Sequence, residues 1–220
     1  MSETLYFTPS EVVLLNGESF VSGAGFLNKY VVLPSEQGVD SHKLAVAACS
    51  AAVLANEQFG LLRLTPSVNS TLFGLVKTPT LLLEPTGAQP GWPAGTLEAD
   101  LYEVSRRQQV VKRNNLYNVI YQWLGQDVGA PFYTVLQMVE QGLAQRGLLQ
   151  QVEAKTLGIF KYKKLALPDS TRPLIAGQSI APVQQLLQQC EQFRPDIWQR
   201  MQKNIQKAIN ARTEHTDTDD

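Results

Sequence analysis

Cysteine is scarce in this chain of 220 residues, with Cys49 and Cys190 far apart and each inside an apolar helical pattern. That placement points to buried free thiols in a reducing compartment and excludes a disulfide framework. Histidine is equally rare. His42 sits at a helix start and His215 in an acidic tail, and neither belongs to a cluster at metal-ligand spacing, so no metal centre is expected. A serine nucleophile elbow is missing, and Glu98 and Asp100, two residues apart, cannot share a helix face as an acid/base pair. Neither catalysis nor a cofactor is expected. No apolar run reaches the roughly 18 residues of a membrane span, and the opening MSETLYFTPSE lacks the basic-then-apolar pattern of a leader. The expectation is a soluble cytoplasmic protein, free to touch a membrane peripherally. An excess of one charge is absent too: 19 Lys plus Arg against 20 Asp plus Glu leave a net charge of -1. General polyanion binding is thereby excluded, and any basic site must be local.

What the chain has is apolar material and helix punctuation. A hydrophobic content of 44% suffices for a core without metal or disulfide support. Thr8-Pro9-Ser10-Glu11 combines an N-cap, a first-turn proline and the acidic partner of a capping box. The pattern 12–15 continues that helix to Asn16-Gly17. Gly23-Ala24-Gly25 is a turn, with no Gly-Lys-Ser/Thr to make it a phosphate loop. Tyr30-Val31-Val32-Leu33 reads as a short strand broken by Pro34. Asp40-Ser41 caps an Ala-rich helix that Gly60 stops, and strand material follows at 61–64, 72–77 and 81–83.

Residues 85–95, PTGAQPGWPAG, form the clearest loop, with Trp92 read as its anchor in the core. Amphipathic helices follow, one through Leu97, Leu101, Val104 and Val111 and one through Leu116, Ile120 and Leu124 to Gly125. The next segment is the most legible. Phe132, Val135, Leu136, Val139 and Leu143 make one apolar helix face behind Pro131, Gly147 stops the helix, and a hairpin follows with alternation from Ile159. Residues 168–180 read as polar connection. Val183, Leu186, Leu187 and Cys190, then Ile197, Trp198, Met201, Ile205 and Ile209, mark two final helices.

Helix, Gly stop and hairpin thus occur twice, with Phe73-Gly74-Leu75 and Leu157-Gly158-Ile159 in matching places. The expected fold is mainly α with small antiparallel β-hairpins, built from tandem winged-helix-like helix-plus-hairpin units. They form one domain over 5–212: a first half 8–84, a Pro/Gly-rich bridge 85–95 and a second half 96–210. The acidic residues 213–220 are a disordered tail.

Four stretches in this order resemble the Golgi phosphoprotein family, the peripheral Golgi adaptors and their bacterial relatives: FTPSEVVLL at 7–15, the Ala-rich helix running into GLLRL at 60–64, PTG at 85–87 followed by LEADL at 97–101, and LAQRGLL at 143–149 leading into the hairpin. The resemblance implies a Golgi-phosphoprotein-like domain, no catalytic activity, and peripheral membrane binding through phosphatidylinositol 4-phosphate. The family's lipid pocket uses a tryptophan before the first-repeat helix and arginines on the helix ahead of the second hairpin. This chain has Phe26 and Tyr30 in the first place and no Arg or Lys over 131–145. The fold carries over without the lipid specificity.

The second hairpin supplies the candidate contact residues. Phe160 and Tyr162 alternate with Lys161 and Lys163, followed by Lys164 and, further on, Arg172. On a strand this puts aromatics and cations on opposite faces, suited to an anionic membrane surface or a phosphoinositide. Leu157, Ile159 and Phe160 are the candidates for self-association or a protein partner. Two rivals stay open: a winged-helix nucleic-acid binder, for which the cation-free helix 131–145 is a poor recognition element, and a protein-only scaffold.

Overall fold

The computed structural model describes residues 7–23, 28–71, 76–156 and 160–213, with side chains described for all of these except 70–71, 76, 154–156 and 160–163. The described residues form eight α-helices and three two-stranded antiparallel sheets. Helix α1 (Pro9–Leu15) leads through a 3-10 turn at Gly17–Ser19 to a small ribbon, β1 (Lys29–Val31) with β2 (Gly38–Asp40). Next come α2 (Ser41–Gln58) and the hairpin β3 (Leu62–Thr71) with β4 (Val76–Pro85). The second half comprises α3 (Leu97–Val110), α4 (Leu116–Leu124), α5 (Pro131–Gln145), the hairpin β5 (Gln150–Thr156) with β6 (Phe160–Ala166), and then α6 (Arg172–Gly177), α7 (Ala181–Phe193) and α8 (Pro195–Asn210).

Helix α2 is the axis of the body. Asp40 caps it, its carboxylate accepting the N–H groups of His42 and Lys43 at 2.9 and 3.1 Å. Its alanines at 45, 48, 51, 52 and 55 are fully buried, and their small side chains admit α1, α3, α5, α7 and α8 around one helix. A helix apolar on every side is a buried helix. At its end Glu57 takes the Arg194 guanidinium in a two-pronged pair at 2.7 and 2.9 Å, which fastens the end of α7 to α2.

The helix-then-hairpin unit recurs as the sequence leads one to expect. Gly60 (φ +68°) and Gly147 (φ +74°) end α2 and α5 in the same left-handed turn. Packing separates the two copies. Strand β4 lies against α3, α4 and α8, and β3 against α2, with Thr80 donating to Asn204 of α8 at 2.8 Å in the core. Strands β5 and β6 pack chiefly on each other.

Three features depart from the sequence patterns. Strand β3 runs through Pro66 and on to Thr71, beyond the apolar 61–64 signal, because a two-stranded ribbon has open edges where a missing N–H costs no ladder bond. A short helix, α6, occupies the stretch read as connection, pinned by buried Thr171 and Ile175. Val111 is exposed beyond the end of α3, so the apolar face of that helix stops at Val104. The 72–75 strand signal, Leu157 and Ile159, Phe26, His215 and residues 214–220 of the expected acidic tail lie outside the described residues.

Candidate functional site

Helix α5 has two faces, and the site begins from the second. Phe132, Val135, Leu136, Val139 and Leu143 are buried toward the core, which leaves Tyr133, Gln137, Gln141 and Gln145 outward at helical spacing. Along this outward stripe runs an open groove of about 1420 Å³. Strand β1 and the turn after it form one wall, and the base of the second hairpin, with Leu149, Gln150, Gln151, Lys164 and Leu165, forms the other.

Glu140 stands at the join of floor and wall. Its Oε1 accepts the hydroxyl of buried Tyr30 at 2.5 Å, a charge-assisted bond that holds the ribbon to α5. Burial raises the Glu140 carboxyl above its ordinary range and the Tyr30 bond pulls it partly back. The Tyr30 phenol is driven well up by burial and by the Glu140 charge, so it remains a donor. The Tyr133 ring lies 5.9 Å from that of Tyr30. Lys29 and Lys164 are balanced by Glu36 and Glu140, and five glutamine side chains have no hydrogen-bond partner among the described residues. The groove therefore offers many amide donors and acceptors and little net field.

Of the residues nominated from sequence, Lys164 alone lines this groove with a described side chain, exposed and paired in register with Val152. Phe160, Lys161, Tyr162 and Lys163 belong to β6, opposite Thr156, Lys155, Ala154 and Glu153, and their side chains lie outside the description. Arg172 is not brought to the groove. It opens α6 and sits 3.5 Å from exposed Asp169.

A second polar constellation is sealed inside the body. Glu98, fully buried at the start of α3, accepts the Ser10 N–H at 2.8 Å and the Ser10 hydroxyl at 3.0 Å. One residue on, Glu11 accepts the Thr8 N–H at 2.9 Å and ion-pairs with Arg146 at the end of α5. Asn56 of α2 donates to the Glu98 carbonyl at 3.0 Å and accepts the Trp92 indole N–H at 3.0 Å, which makes Trp92 the core anchor expected of it. Burial pushes the Glu98 carboxyl up to about 7, against the pull of the Ser10 and Thr8 bonds, and the Glu11 charge adds to the rise. Burial likewise raises Glu11, with Arg146 opposing it. Sequence spacing excluded Asp100 as a partner for Glu98 and offered no other; the acidic neighbour is Glu11 on another helix. Nothing local marks a contact across 88 residues, although the capping box did identify Glu11.

This constellation joins α1, α2, α3 and the end of α5, and with both carboxylates buried it serves cohesion. Cys49 and Cys190 are free and buried, and burial pushes the Cys49 thiol up to about 12, far from thiolate chemistry at neutral pH. Among the described residues no group of three His, Cys, Asp or Glu is placed to hold a metal ion, and no helix is long and apolar enough to cross a membrane. No known protein family, curated protein or solved structure matches the chain.

Proposed function

We propose that this chain is a non-catalytic adaptor that rests peripherally on an anionic membrane through its second hairpin. The observation that carries the reading is the contrast between the two hairpins. Helices α2, α3, α4 and α8 hold the inner part of β3–β4, whereas β5 and β6 pack chiefly on each other and offer Lys164 to solvent. A hairpin whose described strands pack chiefly on each other, with lysines at 161, 163 and 164, can meet a flat charged surface. Each lysine near such a surface contributes about 1 kcal/mol, so three give a weak and reversible attachment. The site on α5 speaks against the nucleic-acid rival, because its outward face presents glutamines and a carboxylate where a recognition helix needs cations.

Flotation with liposomes of phosphatidylcholine alone, or with phosphatidylserine added, tests the reading. Wild type should float only with the anionic lipid and should be released by salt, and a Lys161/Lys163/Lys164→Glu variant should stay in solution. No flotation under either condition removes the membrane reading. Salt-sensitive retardation of duplex DNA by the wild type replaces it with the nucleic-acid one.

A further inference from the structure

The β1–β2 ribbon has an edge whose direction can be worked out. The Ser41 N–H donates to the Asn28 carbonyl and the Val32 N–H to the Gln37 carbonyl, so the hydrogen-bonded pairs of this antiparallel ladder fall on residues 28, 30 and 32. Lys29 and Val31 occupy the alternate positions. Their N–H and C=O groups point away from β2, and among the described residues no third strand takes them. The opposite side of the ribbon is occupied, because β2 packs on α2 and the 3-10 turn. It is β1, not β2, that walls the groove on α5. Unpaired strand edges are usually shortened, charged or covered; this one faces a slot.

The slot fits one kind of occupant. Two donor–acceptor pairs, at Lys29 and Val31, repeat at the two-residue spacing of an extended backbone. The α5 floor from Tyr133 to Gln145 is roughly 18 Å long at the helical rise, about five residues of extended chain. Gln137 and Gln141 present free carboxamides along that floor, and Val31, 48% exposed, offers an apolar neighbour on the upper side. With Lys29 and Lys164 offset by Glu36 and Glu140, no net charge selects a phosphate.

We propose that the groove on α5 binds an extended peptide segment of a partner protein, which adds as a third strand to the free edge of β1. The segment is uncharged where it lies on the glutamine floor and carries an apolar residue beside Val31. This goes beyond membrane attachment and survives its failure, since the residues that carry it lie on the ribbon and α5.

The test uses the full chain and a phage-displayed library of random heptapeptides. Wild type should enrich related peptides. Val31→Pro removes an N–H that no ladder bond uses, and it should weaken a selected peptide about tenfold or more. Gln141→Trp fills the slot from an exposed floor position and should weaken it as much, with both variants keeping wild-type circular dichroism and liposome flotation. N-methylation of the peptide at alternate residues should abolish binding in one phase and spare it in the other. Failure to enrich any peptide overturns the proposal. So does a selected peptide indifferent to Gln141→Trp, or to the phase of methylation. Binding of phosphatidylinositol 4-phosphate vesicles that is lost in Gln141→Trp, with no peptide enriched, replaces the peptide by a lipid.

Discussion

Replacing Glu98 by glutamine should flatten the pH dependence of stability of this protein. The carboxyl has an ordinary value of 4.5 and is raised by burial to about 7, so the folded chain holds the proton more tightly than the unfolded one. The resulting stability is fully present below 4.5 and is lost as pH rises through about 7. At about 1.4 kcal/mol per tenfold change, the loss attributable to this group is about 3–3.5 kcal/mol in all, most of it between about pH 5 and about pH 8. Glu11, Glu140 and Asp100 are also raised by burial and act in the same sense, so the wild-type slope exceeds that of Glu98 alone. A difference measurement isolates the one group. The substituted carboxamide keeps an oxygen to accept the Ser10 N–H, and its amide can donate to the Ser10 hydroxyl. Urea unfolding followed by circular dichroism, for wild type and Glu98→Gln at several pH values, gives both curves. The variant should gain on wild type as pH rises, by about 2–3 kcal/mol over that interval. Parallel curves would refute the reasoning, since the buried carboxyl would then ionise without cost.

Three further outcomes follow from the same geometry. Tyr30→Phe deletes the hydroxyl that Glu140 accepts, which should cost about 1–2 kcal/mol in urea unfolding and move the Glu140 carboxyl further up in a carbon-13 titration. Gly142→Ala places a Cβ 2.0 Å from the Gly95 carbonyl oxygen, a backbone atom that cannot rotate aside; a loss of about 1–3 kcal/mol, read by thermal unfolding, is expected. The free edges of the two-stranded β5–β6 sheet suit pairing between copies, so wild type should run larger than a monomer in size-exclusion light scattering at high concentration, and Ile159→Asp with Phe160→Asp should restore the monomer.

The legible parts of the fold were those written locally. The Thr8 to Glu11 capping box, Asp40, Pro131 and the stops at Gly60, Gly125 and Gly147 set helix boundaries through groups a few residues apart, and the elements begin and end there. The apolar periodicity of α5 named its buried face, and those of α7 and α8 named theirs except that Leu186, Ile197 and Trp198 are only partly buried against the core. Helix α6 was hidden because six residues are too few for a period, and the length of β3 because its proline reads as a strand breaker. The polar interior was the least visible. Glu98 gives no sign in its own neighbourhood that Ser10 will meet it, and the groove depends on the ribbon and α5 converging through Tyr30 and Glu140, 110 residues apart.

The two halves also differ in what their floors leave exposed. In the first unit α2 is enclosed by helices on every side, so its surface is spent on cohesion and its hairpin is held by α3, α4 and α8. In the second, α5 buries one face and leaves the other outward, flanked by a ribbon with an unpaired edge and a hairpin that packs chiefly on itself. Duplicating a helix-plus-hairpin unit around one core makes this division natural, because the unit that enters the centre loses its surface and its partner keeps one. The sealed Glu98 and Glu11 constellation fastens the N-terminal ends of α1 and α3 to Arg146, at the turn between α5 and β5. That turn carries the hairpin, so the clamp fixes where the exposed unit stands relative to the enclosed one. A binding surface assembled from three separate elements needs such a fixed joint, and here the buried carboxylates supply it.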